Sequence, residues 1–414
     1  MATTLDLKAD PDGAGFDARR LRRVDDHLRT RYVEPGKIAG CQVLVSRGGR
    51  LAHASSIGRA DRERDVAVQD DTIWRLYSMT KPVTGVALLS LYEQGLFRLD
   101  DPVHRFLPEF RGLQVRERDA DGNPRLVDPA RPMSVRDAMM HMSGLGWGPR
   151  GARLDLNAIG ERPPSLRLKD GGTLQTLVER LAGEPLRSHP GTRWLYAWST
   201  DVCARLVEVI SGQRFDEYLS ATIFEPLGMV DTGFSVPDAE IGRFAALYRR
   251  NSAKELVLSD DPQTSAYRTH PAFLSGGGGL VSTGADYLRF CHMLVGAGEV
   301  DGVRILGRKT VELMRANHLP GGGDLRQFAQ PGGYGEVGFD GMGFGLTVAV
   351  SNGPVATQAV GSPGEFMWGG LASTAFWVDP VEDLAVVFMT QLLPSGTFDF
   401  RGQLKALVYG AMAD

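Results

Sequence analysis

The stretch Ser78–Leu99, SMTKPVTGVALLSLYEQGLFRL, decides how the rest of the chain is read. Residues 82–97 are strongly apolar, and a helix with that composition is a buried one. The sequence therefore predicts a buried helix here, stopped by Asp100-Asp101-Pro102. Pro82 suits its first turn, where a missing N–H costs little. Ser78 and Lys81 stand at the head of this helix with S-x-x-K spacing. Positions i and i+3 share one face, so the hydroxyl and the amine can meet. The partial positive charge of a helix N-terminus favours an anionic oxygen and disfavours a protonated amine. Together these features can activate a serine without histidine. Alone, an S-x-x-K is a common accident, equally well read as a capping Ser and a Lys reaching for solvent.

Working outward, residues 17–33 have apolar positions at helical spacing. Ile38–Ser46 and Leu51–Ile57 flank Arg47-Gly48-Gly49-Arg50, a hairpin signal. Residues 114–132 are charged and punctuated by Gly and Pro, which predicts an exposed loop or hairpin. Ser134 with Asp137, and Thr283 with Asp286, carry capping signatures ahead of Val135–Met142 and Ala285–Leu294. Residues 145–175 show no period and read as loop. Residues 200–211 read as a helix with Ser199 as N-cap and Gly212 at its end. Ala372–Val378 and Leu384–Met389 flank Asp379-Pro380-Val381-Glu382-Asp383, a second hairpin, and a terminal helix follows at 399–409. The fold class expected is α+β. The two ends of the chain form one antiparallel sheet flanked by helices, and the middle forms a mostly helical second domain. The boundaries expected are 12–80 with 265–414 for the first and 81–264 for the second, with the ligand crevice between them.

At 414 residues the chain exceeds the ~250–300 at which a single core stops growing. A formal net charge of −4 gives no sign of a nucleic-acid partner. The N-terminus lacks a basic region followed by an apolar one, and no apolar run approaches the ~18 residues of a membrane span. Cys41, Cys203 and Cys291 are widely spaced with no C-x-x-C, which fits buried thiols and a cytoplasmic protein. Cys291 and His292 are adjacent on a helix, where side chains diverge, so they make no dyad. Gly302-x-x-x-x-Gly307 precedes Arg308-Lys309-Thr310, with its Lys one place too late for a phosphate loop. The Gly276–Gly279 run lacks the strand and acidic residue of a dinucleotide site, so a tight turn or close backbone packing is expected. There is no G-x-S-x-G and no metal-binding H-E-x-x-H. The reading therefore carries no cofactor and no metal.

The run from Ser78, followed by His141-Met142-Ser143-Gly144-Leu145, resembles the serine β-lactamase and penicillin-binding-protein superfamily. Phe224-Glu225-Pro226-Leu227-Gly228-Met229 and Gly278-Gly279-Leu280-Val281-Ser282-Thr283 strengthen the likeness, which extends from about 17 to 409. The resemblance is nearest to the class C-like branch that includes the family VIII carboxylesterases, and it implies a β-lactamase/transpeptidase-like fold. The family's Y-x-N motif matches Tyr196-Ala197-Trp198, and its K-T-G matches Trp368-Gly369-Gly370. Both depart from the β-lactamase pattern. An indole at 368 cannot give a substrate carboxylate the charge-assisted bond a Lys would, so a neutral small-molecule ester is the expected substrate.

The resemblance implies Ser78 as nucleophile, with Lys81 and Tyr196 sharing its proton, and an acyl-enzyme intermediate. It also implies an oxyanion hole from the N–H groups of Ser78 and Leu371. Trp368, Gly369, Gly370 and Trp198 are expected to bind substrate, with Tyr77 and Trp147 completing an aromatic pocket. His141 is expected to be structural. A phenol with pKa ~10 needs a depression of about 3 units to act as base near pH 7. The Lys81 ammonium could supply that, and otherwise Lys81 takes the base role. Three readings follow, in this order: a serine carboxylesterase; an acyltransferase, amidase or weak β-lactamase on the same residues; and a non-catalytic binding protein, against which the retention of Ser78, Lys81 and Tyr196 argues.

Overall fold

The computed structural model describes residues 7–146, 172–330 and 335–413. Its centre is an eight-stranded sheet made from both ends of the chain. The strands are β1 (Gly40–Arg47), β2 (Arg50–Asp61), β3 (Val66–Ala67), β4 (Met342–Phe344), β5 (Ala349–Ser351), β6 (Phe366–Gly369), β7 (Ala375–Asp379) and β8 (Leu384–Thr390). Their order is β4-β5-β6-β7-β8-β1-β2-β3, and every neighbouring pair is antiparallel. The seam between the two ends is β1 on β8, with Val43 opposite Phe388 and Val45 opposite Val386. Both expected hairpins are present, β1–β2 across Gly48-Gly49 and β7–β8 across residues 380–383.

Every residue of β8 is buried, because both faces of the sheet are covered. On one face Tyr287 meets Phe376, which pairs with Val387. Tyr287 belongs to the helix Gly284–Val295, capped by Thr283 as its sequence predicts. On the other face Phe388 meets Phe400 of the terminal helix Phe400–Tyr409, and Tyr32 packs on Phe400. Alternate side chains of one strand thus enter different layers, which is why LAVVFMT reads as a continuous apolar run. The helical signal at 17–33 resolves into Ala18–Leu21, Arg23–Leu28 and a π-turn Arg29–Val33.

The buried helix of the opening motif, α1, spans Thr80–Glu93, and its residues Thr80–Leu91 are all buried. It ends earlier than Asp100-Asp101-Pro102 suggested. Gln94 caps it, and Gly95 at φ +74° turns the chain away. Gly85 lets α1 approach its neighbour: a Cβ there would lie 2.0 Å from Thr347 Oγ1. α1 packs against α2 (Ser199–Ser211). Ser199 is not the cap of α2 but its first residue; Trp198 holds the cap position, and Ser199 Oγ instead bonds Ser143 Oγ at 2.7 Å. Gly212 closes α2 at φ +72°, as expected. The capping box at Ser134 and Asp137 is present. The stretch 114–132 is a hairpin of Val115–Arg118 and Pro124–Val127. The region between α1 and the later strands is less purely helical than its composition suggested. Leu247–Arg250 and Leu256–Asp260 form another hairpin, which Leu392–Leu393 joins in parallel.

Candidate active site

The chain enters the site along the strand Ile73–Arg75, paired antiparallel with Val281–Thr283. Arg75 fixes this strand from within. It is fully buried, donates to Asp260 at 2.7 and 3.0 Å and to the Ala245 carbonyl at 2.6 Å, and lies over the Phe244 ring. Tyr77 then takes φ +47°, a left-handed conformation that a bulky side chain rarely adopts. This sharp turn leads into a single 3₁₀ turn, Tyr77–Met79, that runs straight into α1. Ser78 sits within it. The turn is bolted on both sides, since Tyr287 donates to the Met79 carbonyl at 2.9 Å and the Leu280 N–H to Thr80 Oγ1 at 3.1 Å.

Three side chains converge here. Lys81 Nζ lies 3.1 Å from Ser78 Oγ, one helical turn along, as the spacing predicted. Tyr196 donates its phenol proton to Ser78 Oγ at 2.6 Å. The Lys81 amine also donates to the Gly277 carbonyl at 2.6 Å and lies 4.6 Å from the centre of the Tyr196 ring. Ser78 and Lys81 are buried. Tyr196 is held by aromatic contacts: it stacks on Trp194 at 5.6 Å and meets His141 at 4.9 Å and Trp368 at 5.4 Å edge-on. His141 is fully buried, and its Nε2 lies 3.3 Å from Thr200 Oγ1. It supports the Tyr196 ring and makes no bond to Ser78.

The electrostatics divide the two proton-handling groups. Burial pulls Lys81 down to about 8, against the opposing charges of Asp201 and Glu336. The direction matches that expected from the helix N-terminus, but its main cause is burial. Burial, reinforced by Glu336, holds Tyr196 well above the usual phenol value, and its contacts with Ser78 and Trp368 do not reverse this. Of the two alternatives the sequence left open, this favours Lys81 rather than a Tyr196 phenolate as the base. At neutral pH it is a phenol, and Lys81 is the group that can be neutral. Burial, with the Lys81 charge, also pushes His141 well down, so its ring is neutral.

The glycines Gly369 and Gly370 bring the end of β6 against the serine turn. A Cβ on Gly370 would lie 2.2 Å from the Leu76 carbonyl, two residues before Ser78. Leu371 follows in the next turn. Trp368 is fully buried, edge-on to Tyr196 and to Phe344, and Trp198 is 2% exposed; neither turns its face to solvent. Tyr77 is half-buried beside the Gly278 backbone, and Trp147 lies outside the described residues. Sequence reasoning missed Asp201, Glu336 and the Gly277 carbonyl. The Gly276–Gly279 run signalled close packing, and a Cβ on Gly276 would indeed lie 2.6 Å from Ala204 Cβ. Nothing in the run named its partner. Cys41, Cys203 and Cys291 are buried free thiols, and burial raises all three. His292 turns away from Cys291 to meet Ser46 Oγ at 2.8 Å. No helix among the described residues is long and apolar enough to cross a membrane.

Comparison with known proteins gives a consistent result. The family model described as Beta-lactamase matches residues 26–410. Esterase EstB of Burkholderia gladioli is 30% identical over 94% of this chain and 94% of its own length. Acyltransferase mokF of Monascus pilosus is 30% identical over 72% of this chain and 71% of its own. The solved structure of EstCE1, described as a hydrolase with promiscuous acyltransferase activity, superposes with a TM-score of 0.73 at 26% identity, over 96% of this chain and 98% of that one.

Proposed function

This chain belongs to the beta-lactamase family, and from that premise we propose that it is a serine hydrolase cleaving small neutral carboxylic esters through an acyl-enzyme on Ser78. The observation that carries the proposal is the meeting of Tyr196 Oη and Lys81 Nζ on one hydroxyl, at 2.6 and 3.1 Å. The relationship to an esterase supports the substrate class. The chain is read as residues 12–80 with 265–414 around the sheet and 81–264 as the mostly helical part, with the ester held between them.

In acylation, Ser78 Oγ attacks the ester carbonyl and its proton passes to neutral Lys81 Nζ. The oxyanion is received by the N–H groups of Ser78 and Leu371, and losing one such donor typically costs about 10²–10³ in rate. The tetrahedral intermediate collapses, and Tyr196 gives its proton to the departing alkoxide. A phenol kept neutral holds its proton until that stronger base appears. The Lys81 ammonium then reprotonates the phenolate. Water repeats the sequence on the acyl-enzyme and releases the acid.

A panel of p-nitrophenyl esters beside a chromogenic cephalosporin tests this reading. Ester turnover should exceed cephalosporin turnover per active site, and the reverse ranking overturns it. A serine-directed phosphonate should label Ser78, and labelling elsewhere removes the nucleophile assignment. A second reading, acyl transfer to an alcohol, is supported by the relationship to an acyltransferase and to a hydrolase with promiscuous acyltransferase activity. Adding an alcohol acceptor and measuring how product divides between acid and new ester distinguishes the two.

A further inference from the structure

Asp201 stands in the first turn of α2, five residues after Tyr196, and is buried. A carboxylate is favoured there by the helix dipole, yet Asp201 does not cap its own helix. Its Oδ1 accepts from Ser275 Oγ at 2.6 Å and from the Gly277 N–H at 3.2 Å. Both bonds hold the glycine run against α2. The neighbouring Gly276 carbonyl accepts from Thr84 Oγ1 of α1 at 2.8 Å. The Gly277 carbonyl is then the one that receives the Lys81 amine. A Cβ on Gly277 would lie 2.7 Å from Asp201 Oδ2, so any larger residue here would push against the carboxylate.

We propose that Asp201 is a positioning residue for Lys81, acting through the Gly277 backbone. A neutral amine has two N–H bonds and one lone pair. When one N–H is spent on the Gly277 carbonyl, the amine is held and its lone pair can be presented to the Ser78 proton. Asp201 fixes that carbonyl by gripping the N–H of the same residue. Its charge also favours the Lys81 ammonium and so limits how far burial depresses the amine. The other groups facing Lys81 are Tyr196, the Glu336 carboxylate and neutral His141. This inference rests on Ser78 and Lys81 being nucleophile and base.

Two substitutions separate the anchor from the charge. Because both bonds fall on Oδ1, Asp201→Asn can keep them while removing the charge. It should move the acidic limb of kcat/KM for p-nitrophenyl acetate to lower pH by about one unit, with kcat on the plateau changed less than about threefold. Asp201→Ala removes the anchor, and it should lower plateau kcat about tenfold or more with KM little changed. If Asp201→Ala does not fold, Ser275→Ala removes the hydroxyl donor and should lower kcat in the same direction by a smaller factor. An unmoved limb in Asp201→Asn overturns the proposal, as does wild-type kcat in both anchor variants. Ser78→Ala is measured alongside. If it abolishes turnover while the Asp201 variants behave as wild type, only the Asp201 assignment fails. If Ser78→Ala remains active, the underlying reading fails and takes this inference with it.

Discussion

The phenol of Tyr196 donates a 2.6 Å hydrogen bond to the hydroxyl of Ser78, across 118 positions of sequence. Lys81 reaches the same oxygen from only three residues away. The site therefore joins one contact set by local helix geometry to one set by tertiary packing, and the two contacts should respond differently to pH, leaving group and mutation.

The base is the pH-sensitive member. Lys81 must be neutral to accept the Ser78 proton, and burial brings it to about 8. The neutral fraction grows as pH rises, so kcat/KM should increase about tenfold per unit below that value and level off above it. A profile from pH 6 to 10 with p-nitrophenyl acetate checks this. A flat profile would show that no group titrating near 8 limits the free enzyme.

Tyr196→Phe keeps the ring that stacks on Trp194 and removes the proton donor. General acid help is worth about 10²–10⁴ where the leaving group needs it. Ethyl esters should therefore lose far more rate than p-nitrophenyl esters, whose phenolate departs without protonation. Equal losses across a leaving-group series would place Tyr196 in a role other than acid.

Trp368→Lys puts an amine where the related β-lactamase motif has one, but the indole it replaces is fully buried against Tyr196 and Phe344. Emptying such a position costs on the order of 3–5 kcal/mol, so the melting temperature should fall. Ester turnover should fall with it, because Tyr196 loses a wall. The new ammonium should also tighten binding of a carboxylate-bearing penicillin, measured as an inhibition constant. Unchanged ester turnover would detach Trp368 from the site.

Gly85→Ala tests the packing of α1. Helix propensity alone favours alanine by about 1 kcal/mol. The added Cβ would lie 2.0 Å from Thr347 Oγ1, whose residue is fully buried and has φ +71°. Overpacking of this kind costs about 1–3 kcal/mol, so the substitution should destabilise in urea titrations. In a Thr347→Gly background the sign should reverse. Destabilisation that persists there would mean that the close approach is not the cause.

Much of this molecule was legible in its sequence because the signals are local. The S-x-x-K turn, the largely apolar α1, the capping pair Ser134 and Asp137, and the two hairpins each rest on residues a few positions apart. Backbone periodicity and capping geometry fix how those residues sit. The family motifs then placed Tyr196 and the Trp368-Gly369-Gly370 run beside Ser78. Local reading misled where a long-range contact competed, as where Ser199 leaves the cap position to bond Ser143. The early end of α1 at Glu93 is instead a local signal that was overlooked, Gly95 turning the chain at φ +74°. The protonation states of Lys81 and Tyr196 were decided only by the folded chain. They depend on how much water is removed from each group and on which distant carboxylates face it. Asp201 and Glu336 lie 120 and 255 positions beyond Lys81, and no spacing rule reaches across such distances.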